Sequence, residues 1–109
     1  MNYEELSEYA MEIIANSGMS RSCSMEAINF AKKGEFKKAE ESMREAEKYY
    51  FEAHEGQTNL IVKETSGEEK INLNLLMVHA QDHLSMALIT KDNAKEFIEL
   101  YKRIGGENG

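Results

Sequence analysis

Ile71-Asn72-Leu73-Asn74-Leu75-Leu76-Met77-Val78-His79-Ala80-Gln81-Asp82-His83-Leu84-Ser85-Met86-Ala87-Leu88-Ile89 is an apolar stretch with histidine, amide and carboxylate groups at its centre. Its apolar residues recur at helical spacing, and the helix they predict continues to Arg103. Projected at about 100° per residue, it has two apolar faces rather than one. One carries Leu73, Leu76, Met77, Ala80, Leu84, Ala87, Ala94, Ile98 and Tyr101. The other carries Ile71, Leu75, Val78, Met86, Ile89, Phe97 and Leu100, with Asp82 in its centre. A bundle helix at a surface needs one such stripe. Two stripes mean burial on both sides, and three helices cannot enclose one of their own number. The second face is expected to pack against other copies of the chain.

The rest of the chain supplies two more helices. The first is expected from Tyr3 to Lys33, striped by Leu6, Ala10, Ile13 and Ile14, then by Cys23, Ala27, Ile28 and Ala31. Asn16-Ser17-Gly18 is expected to kink or briefly break it. Gly34 suits a left-handed C-terminal cap, with Lys32 and Lys33 at the negative end of the dipole. The second helix runs from Glu35 to Thr65, with Phe36, Ala39, Met43, Ala46, Tyr50, Ala53, Gln57, Leu60 and Ile61 facing inward. Ser66-Gly67-Glu68-Glu69 reads as a turn, and Ser66 with Glu69 resembles a capping box opening the third helix at Lys70. Short connections make neighbours antiparallel. The expected fold is all-α, an antiparallel three-helix bundle forming one domain over 1–109 with a disordered tail at 105–109.

Composition excludes several functions. The chain has 109 residues, no proline and a formal charge of −7. That charge argues against nucleic acid and anionic membrane surfaces as partners. No apolar run is long enough to span a bilayer, and the N-terminus has no basic leader. A cytoplasmic protein is expected. Cys23 stands alone and reads as a small buried apolar residue. His54, among Tyr49, Tyr50 and Phe51, reads as a packed histidine. Lys37-Lys38-Ala39-Glu40-Glu41 is a solvated face.

The chemistry is concentrated at positions 79–83. His79 and His83, four apart, lie on neighbouring turns of one side of the helix. Gln81 points to another side and serves a neighbouring copy more easily than its own. Asp82 among aliphatics is costly unless protonated, paired or ligated. Copies of it converging on a symmetry axis need a shared proton or a cation; alternatively the residue fixes register, as a buried asparagine does in a coiled coil. His79 is either a hydrogen-bonded histidine on a packed helix or a nucleophile, for which a neutral imidazole is competent near pH 7. His79-x-x-Asp82-His83 superficially resembles an inverted zinc-protease motif, with Glu96 or Glu99 as third ligand. An all-helical chain this short has no room for a peptide cleft, which disfavours that reading.

Val78-His79-Ala80-Gln81-Asp82-His83-Leu84 resembles the active-site signature of the IIA component of lactose/cellobiose-type sugar phosphotransferase systems. Three further blocks resemble the same family in order and spacing. They are Glu12-Ile13-Ile14-Ala15-Asn16-Ser17-Gly18 with Arg21-Ser22 and Gly34-Glu35-Phe36; Glu52-Ala53-His54-Glu55-Gly56-Gln57-Thr58 with Leu60; and Ser66-Gly67-Glu68. The resemblance implies a homotrimer of three-helix protomers, nine helices in all, with the third helix around the axis. It implies that His79 accepts a phosphoryl group from the histidine-containing phosphocarrier protein and donates it to a cysteine of the cognate IIB component. It implies that Asp82 holds one magnesium ion with its symmetry mates, and that Gln81 and His83 line the site between protomers. Ser85-Met86 departs from a Met-Thr pair frequent in the family, which bears on partner docking. Ala80 and the Leu76-Met77-Val78 approach look more like the cellobiose/chitobiose subgroup than the lactose one. The competing class is a helical oligomerisation or adaptor module.

Overall fold

The computed structural model describes residues 1–105. It contains three helices of equal length, α1 (Tyr3–Lys32), α2 (Phe36–Thr65) and α3 (Leu75–Ile104), each of 30 residues. They form a rod with extents of 56 × 21 × 17 Å. The cross-contacts fix the directions. Ser20 Oγ donates to the Ala46 carbonyl at 2.8 Å and Ser42 Oγ to Glu26 at 2.9 Å, so α1 and α2 are antiparallel. Asn74 Nδ2 donates to Ser7 Oγ at 3.4 Å, near the N-termini of both α3 and α1, which run parallel. α1 packs extensively on both other helices, which meet each other less.

Both turns form as the glycines predict. Gly34 and Gly67 each have φ +79°, a conformation that costs side-chain-bearing residues energy. At Gly34 the Glu35 N–H reaches the Phe30 carbonyl at 2.9 Å and the Gly34 N–H reaches Ala31 at 3.0 Å, a Schellman closure. Asn2 opens α1 with a reciprocal capping box to Glu5.

Several expectations differ from the structure. α1 is continuous through Asn16-Ser17-Gly18. Ser17 is buried in the bundle, so packing on two neighbours holds the helix where Gly18 alone weakens it. α3 starts at Leu75, not Lys70, because Asn74 is its cap, accepting the Met77 N–H at 2.8 Å. Ser66 instead ends α2. Glu69 accepts the Met1 ammonium at 2.9 Å, and that hydrogen bond and charge hold its carboxyl below the usual carboxylate range. The intervening Lys70-Ile71-Asn72-Leu73-Asn74 is not helical; Ile71 packs on the core and Leu73 is exposed. Ile61 also faces outward, at the edge of the α2 stripe beside buried Leu60. Gly105 caps α3; the rest of the expected tail, 106–109, lies outside the described residues.

The core has two apolar ends and a polar waist. Leu6, Ala10, Ile13, Ala53, Leu60, Met77, Ala80 and Leu84 fill one end. Ala27, Ala31, Ala39, Met43, Ala46, Ala94 and Ile98 fill the other, where alanines bring the helices close. Between them lie buried Ser17, Ser20, Ser24 and Lys91. The Lys91 ammonium pairs with Asp92 at 3.1 Å and Glu47 of α2 at 3.4 Å, and sits 5.1 Å from the centre of the Tyr50 ring.

Among the described residues nothing covers the second face of α3. Leu75 is 84% exposed, Ile89 60%, Leu100 51% and Phe97 48%, with Val78 and Met86 also open. Ile71 is the exception, half-buried against the core. Such a row of large aliphatics and an aromatic is too long for an isolated surface helix.

Candidate functional site

One turn above its N-terminus, α3 presents His79 and His83 on the flank facing α1. The i, i+4 spacing stacks them, and their Nε2 atoms lie 3.0 Å apart. The rings meet edge-to-face, with centroids 4.4 Å apart and planes at 83°. His79 is exposed and His83 half-buried. A neutral pair at this distance holds one proton between the two Nε2 atoms: one ring donates and the other offers its lone pair.

Two grooves open beside the pair. His79 borders one with Tyr3, Leu75, Leu76, Val78 and Asp82. His83 borders the other with Gly18, Arg21, Ser22, Met25, Glu26 and Asn29 of α1. Asp82 is exposed, in the middle of the uncovered apolar face. Among the described residues no group of three or more histidine, cysteine or acidic side chains is placed to hold a metal ion within one chain. Glu96 begins thirteen residues beyond His83, about 20 Å along the helix, which removes the zinc-protease arrangement. Asp82 is the acidic residue in the middle of this face, and its carboxylate oxygens are hard donors. Three copies brought to an axis would supply the hard oxygen donors that magnesium prefers.

Gln81 is on the other flank. Its Oε1 accepts from Gln57 Nε2 of α2 and its own amide approaches Met77 Sδ at 3.4 Å. Within one chain the structure therefore brings His79, His83 and Asp82 together and leaves Gln81 apart. In the sequence Gln57 was a member of the inward stripe and of the helix-two block that resembles the family, with no role at the site assigned to it. Gly18, Arg21 and Ser22 come to the site through the α1–α3 register, which no local pattern signals.

The other candidates are peripheral. His54 is exposed, tilted against Tyr50 at 5.8 Å between centroids, rather than packed in the core. Cys23 is half-buried; burial, with Glu26 and Glu45 adding to it, pushes its thiol pKa up and keeps it protonated and unreactive.

The description "PTS system, Lactose/Cellobiose specific IIA subunit" belongs to the family whose sequence model matches residues 8–102. A lactose-specific EIIA component of Staphylococcus epidermidis is 45% identical over 94% of this chain and 98% of its own. The crystal structure of the cellobiose-specific enzyme IIA from Bacillus anthracis is 43% identical, covers 97% of this chain and 94% of its own, and superposes with a TM-score of 0.88. The solution structures of the IIA(Chitobiose)–HPr complex, from the N,N'-diacetylchitobiose branch of the Escherichia coli phosphotransferase system, match at 35% identity. They cover 92% of this chain and 96% of theirs, with a TM-score of 0.75. A paired-histidine helix on a three-helix rod, matched along nearly its whole length, makes this chain a member of the lactose/cellobiose-specific IIA family, a phosphotransferase component of a sugar-uptake system.

Proposed function

We propose that His79 is the phosphoryl acceptor, taking the group from HPr and passing it to a cysteine of the cognate IIB component. The observation that carries this is an exposed imidazole with its Nε2 held 3.0 Å from a second histidine. With His83 as the Nε2–H donor, His79 carries its proton on Nδ1, and its unprotonated Nε2 accepts from His83 until attack on phosphorus breaks that hydrogen bond. As the N–P bond forms at His79, the N–P bond on HPr breaks and the donor ring leaves with its electron pair. In the second step a IIB thiolate forms the S–P bond and His79 Nε2 is released. His83 Nε2–H is then free to donate to a phosphoryl oxygen. Positioning and charge stabilisation supply the catalysis. HPr as the donor is supported by the IIA–HPr complex among the structural relatives.

The uncovered α3 face supports assembly as a homotrimer about that helix. Its apolar rows bury one another, and the Asp82 carboxylates meet at the axis, where one magnesium ion offsets their repulsion. In that arrangement the Gln81 flank of one protomer closes on the His79 flank of the next, so Gln81 and His83 line a site shared between copies. The protein works in the cytoplasm beside its carriers, in a system with a cellobiose/chitobiose-like sugar preference, which the Ala80 and Leu76-Met77-Val78 features support. Mixing the chain with HPr phosphorylated beforehand should give an acid-labile, base-stable phosphoprotein, and adding IIB should remove the label. A chain that never takes label would instead be an adaptor module.

A further inference from the structure

We infer that Arg21 is the counter-charge of the site, its guanidinium stabilising the phosphoryl group on the histidine pair. This rests on the assignment of His79 as acceptor. A phosphoryl group brings about two negative charges. It arrives on a chain whose formal charge is already −7. Among the described residues lining the two grooves beside His79 and His83, Arg21 is the only permanently cationic one, and Asp82 and Glu26 are anions. Glu26 is turned away, since its carboxylate accepts from Ser42 Oγ of α2 at 2.9 Å. None of the ion pairs among the described residues uses Arg21.

The local geometry aims it correctly. Gly18 and His83 share a groove, so they lie at the same level of the parallel α1–α3 pair. Arg21 is three residues further along α1, and helical side chains lean back over the preceding turn. Leaning back in that way, the side chain can carry its guanidinium over Gly18 toward His83 and the His79 turn below. Gly18 keeps that space open. A methyl group built there would meet no atom of the neighbouring helices within 4 Å, so no packing contact among the described residues requires a glycine. A glycine inside a helix weakens it, and here the missing side chain leaves room beside the histidines for a group from outside the chain. A guanidinium with planar, fixed donors suits phosphoryl oxygens better than an ammonium does.

The test is the equilibrium distribution of label between phosphorylated HPr and the full chain, compared for wild type, Arg21→Gln and Arg21→Lys. Arg21→Gln should move the equilibrium toward HPr by about tenfold or more, the scale of a charged hydrogen bond. Arg21→Lys should recover most of that shift. The ³¹P titration midpoint of the phosphohistidine should rise in Arg21→Gln, which a purely structural role would not produce. An unchanged equilibrium and midpoint overturn the inference, even with slower transfer, because Arg21 would then only dock the carrier. Dissociation of the Arg21→Gln oligomer also overturns it, placing Arg21 at a contact between copies. A wild-type chain that takes no label overturns the acceptor assignment as well, so the two failures are distinguishable.

Discussion

His83 Nε2 stands 3.0 Å from His79 Nε2, so whichever ring holds the shared proton decides which ring can act as nucleophile. If His83 donates, it fixes the reactive tautomer of His79. His83→Ala should slow phosphoryl acceptance in single-turnover quench experiments by about threefold to tenfold, the worth of one hydrogen bond. His83→Gln, which retains a donor, should recover part of the rate. Sedimentation of both variants checks that the oligomer is intact, since His83 lines the proposed site between copies.

Asp82 lies among exposed Leu75, Val78, Met86 and Ile89. If three such carboxylates converge around a cation, chelation should weaken the wild-type oligomer in sedimentation experiments. Asp82→Leu should assemble as well or better, and chelator should not affect it. The gain from replacing buried charge by packed apolar volume is about 1–4 kcal/mol. An Asp82→Leu chain that dissociates would mean that the cation is not needed to explain this residue.

The Lys91–Glu47 pair sets the pH limits of the waist. Burial alone would depress the Lys91 pKa, but Asp92 and Glu47 outweigh it and raise the value. Burial alone would raise the Glu47 pKa, but Lys95 and Lys91 outweigh it and lower the value. A raised ammonium pKa contributes stability below its unfolded value, lost as pH climbs through the folded one. A lowered carboxyl pKa contributes stability above its unfolded value, lost as pH falls through the folded one. Stability from this pair should therefore be level across neutral pH and fall at both extremes. Glu47→Gln should cost up to about 1 kcal/mol at neutral pH, since solvent screens this half-exposed carboxylate, and should flatten the acid limb of denaturant-melt stability against pH.

Ser17 Oγ is buried without a hydrogen-bond partner, whereas Ser20 Oγ donates to Ala46. Ser17→Ala should stabilise by about 1 kcal/mol and Ser20→Ala should destabilise by a similar amount. Thermal melts at one fixed protomer concentration check the opposite signs, since assembly links stability to concentration.

The sequence carried the helices and the histidine pair openly. Gly34 and Gly67 mark both turns, and the period of α3 puts Asp82 on a face the chain cannot cover. The α3 start was misread because Ser66 and Glu69 have capping-box spacing, while Asn74, the actual cap, sits within an apolar run. Ser17, Ser20 and Ser24 were hidden because serine is found both inside and outside bundles. Lys91 had no signal in the sequence, because its burial depends on Glu47 of another helix meeting it. The site was legible along α3, where spacing alone aligns His79 with His83 and sets Gln81 apart. Arg21 and Gly18 were not legible as site residues, because their proximity depends on how two helices separated by a third are aligned.

The most direct test of the account is where the phosphoryl group resides. After reaction with phosphorylated HPr, ¹⁵N and ³¹P NMR of the full chain should show a single phosphohistidine, bonded through Nε2 of His79, and His79→Ala should carry no label. Label that persists in His79→Ala, on His83, His54 or any other residue, would contradict the assignment of His79 as the acceptor.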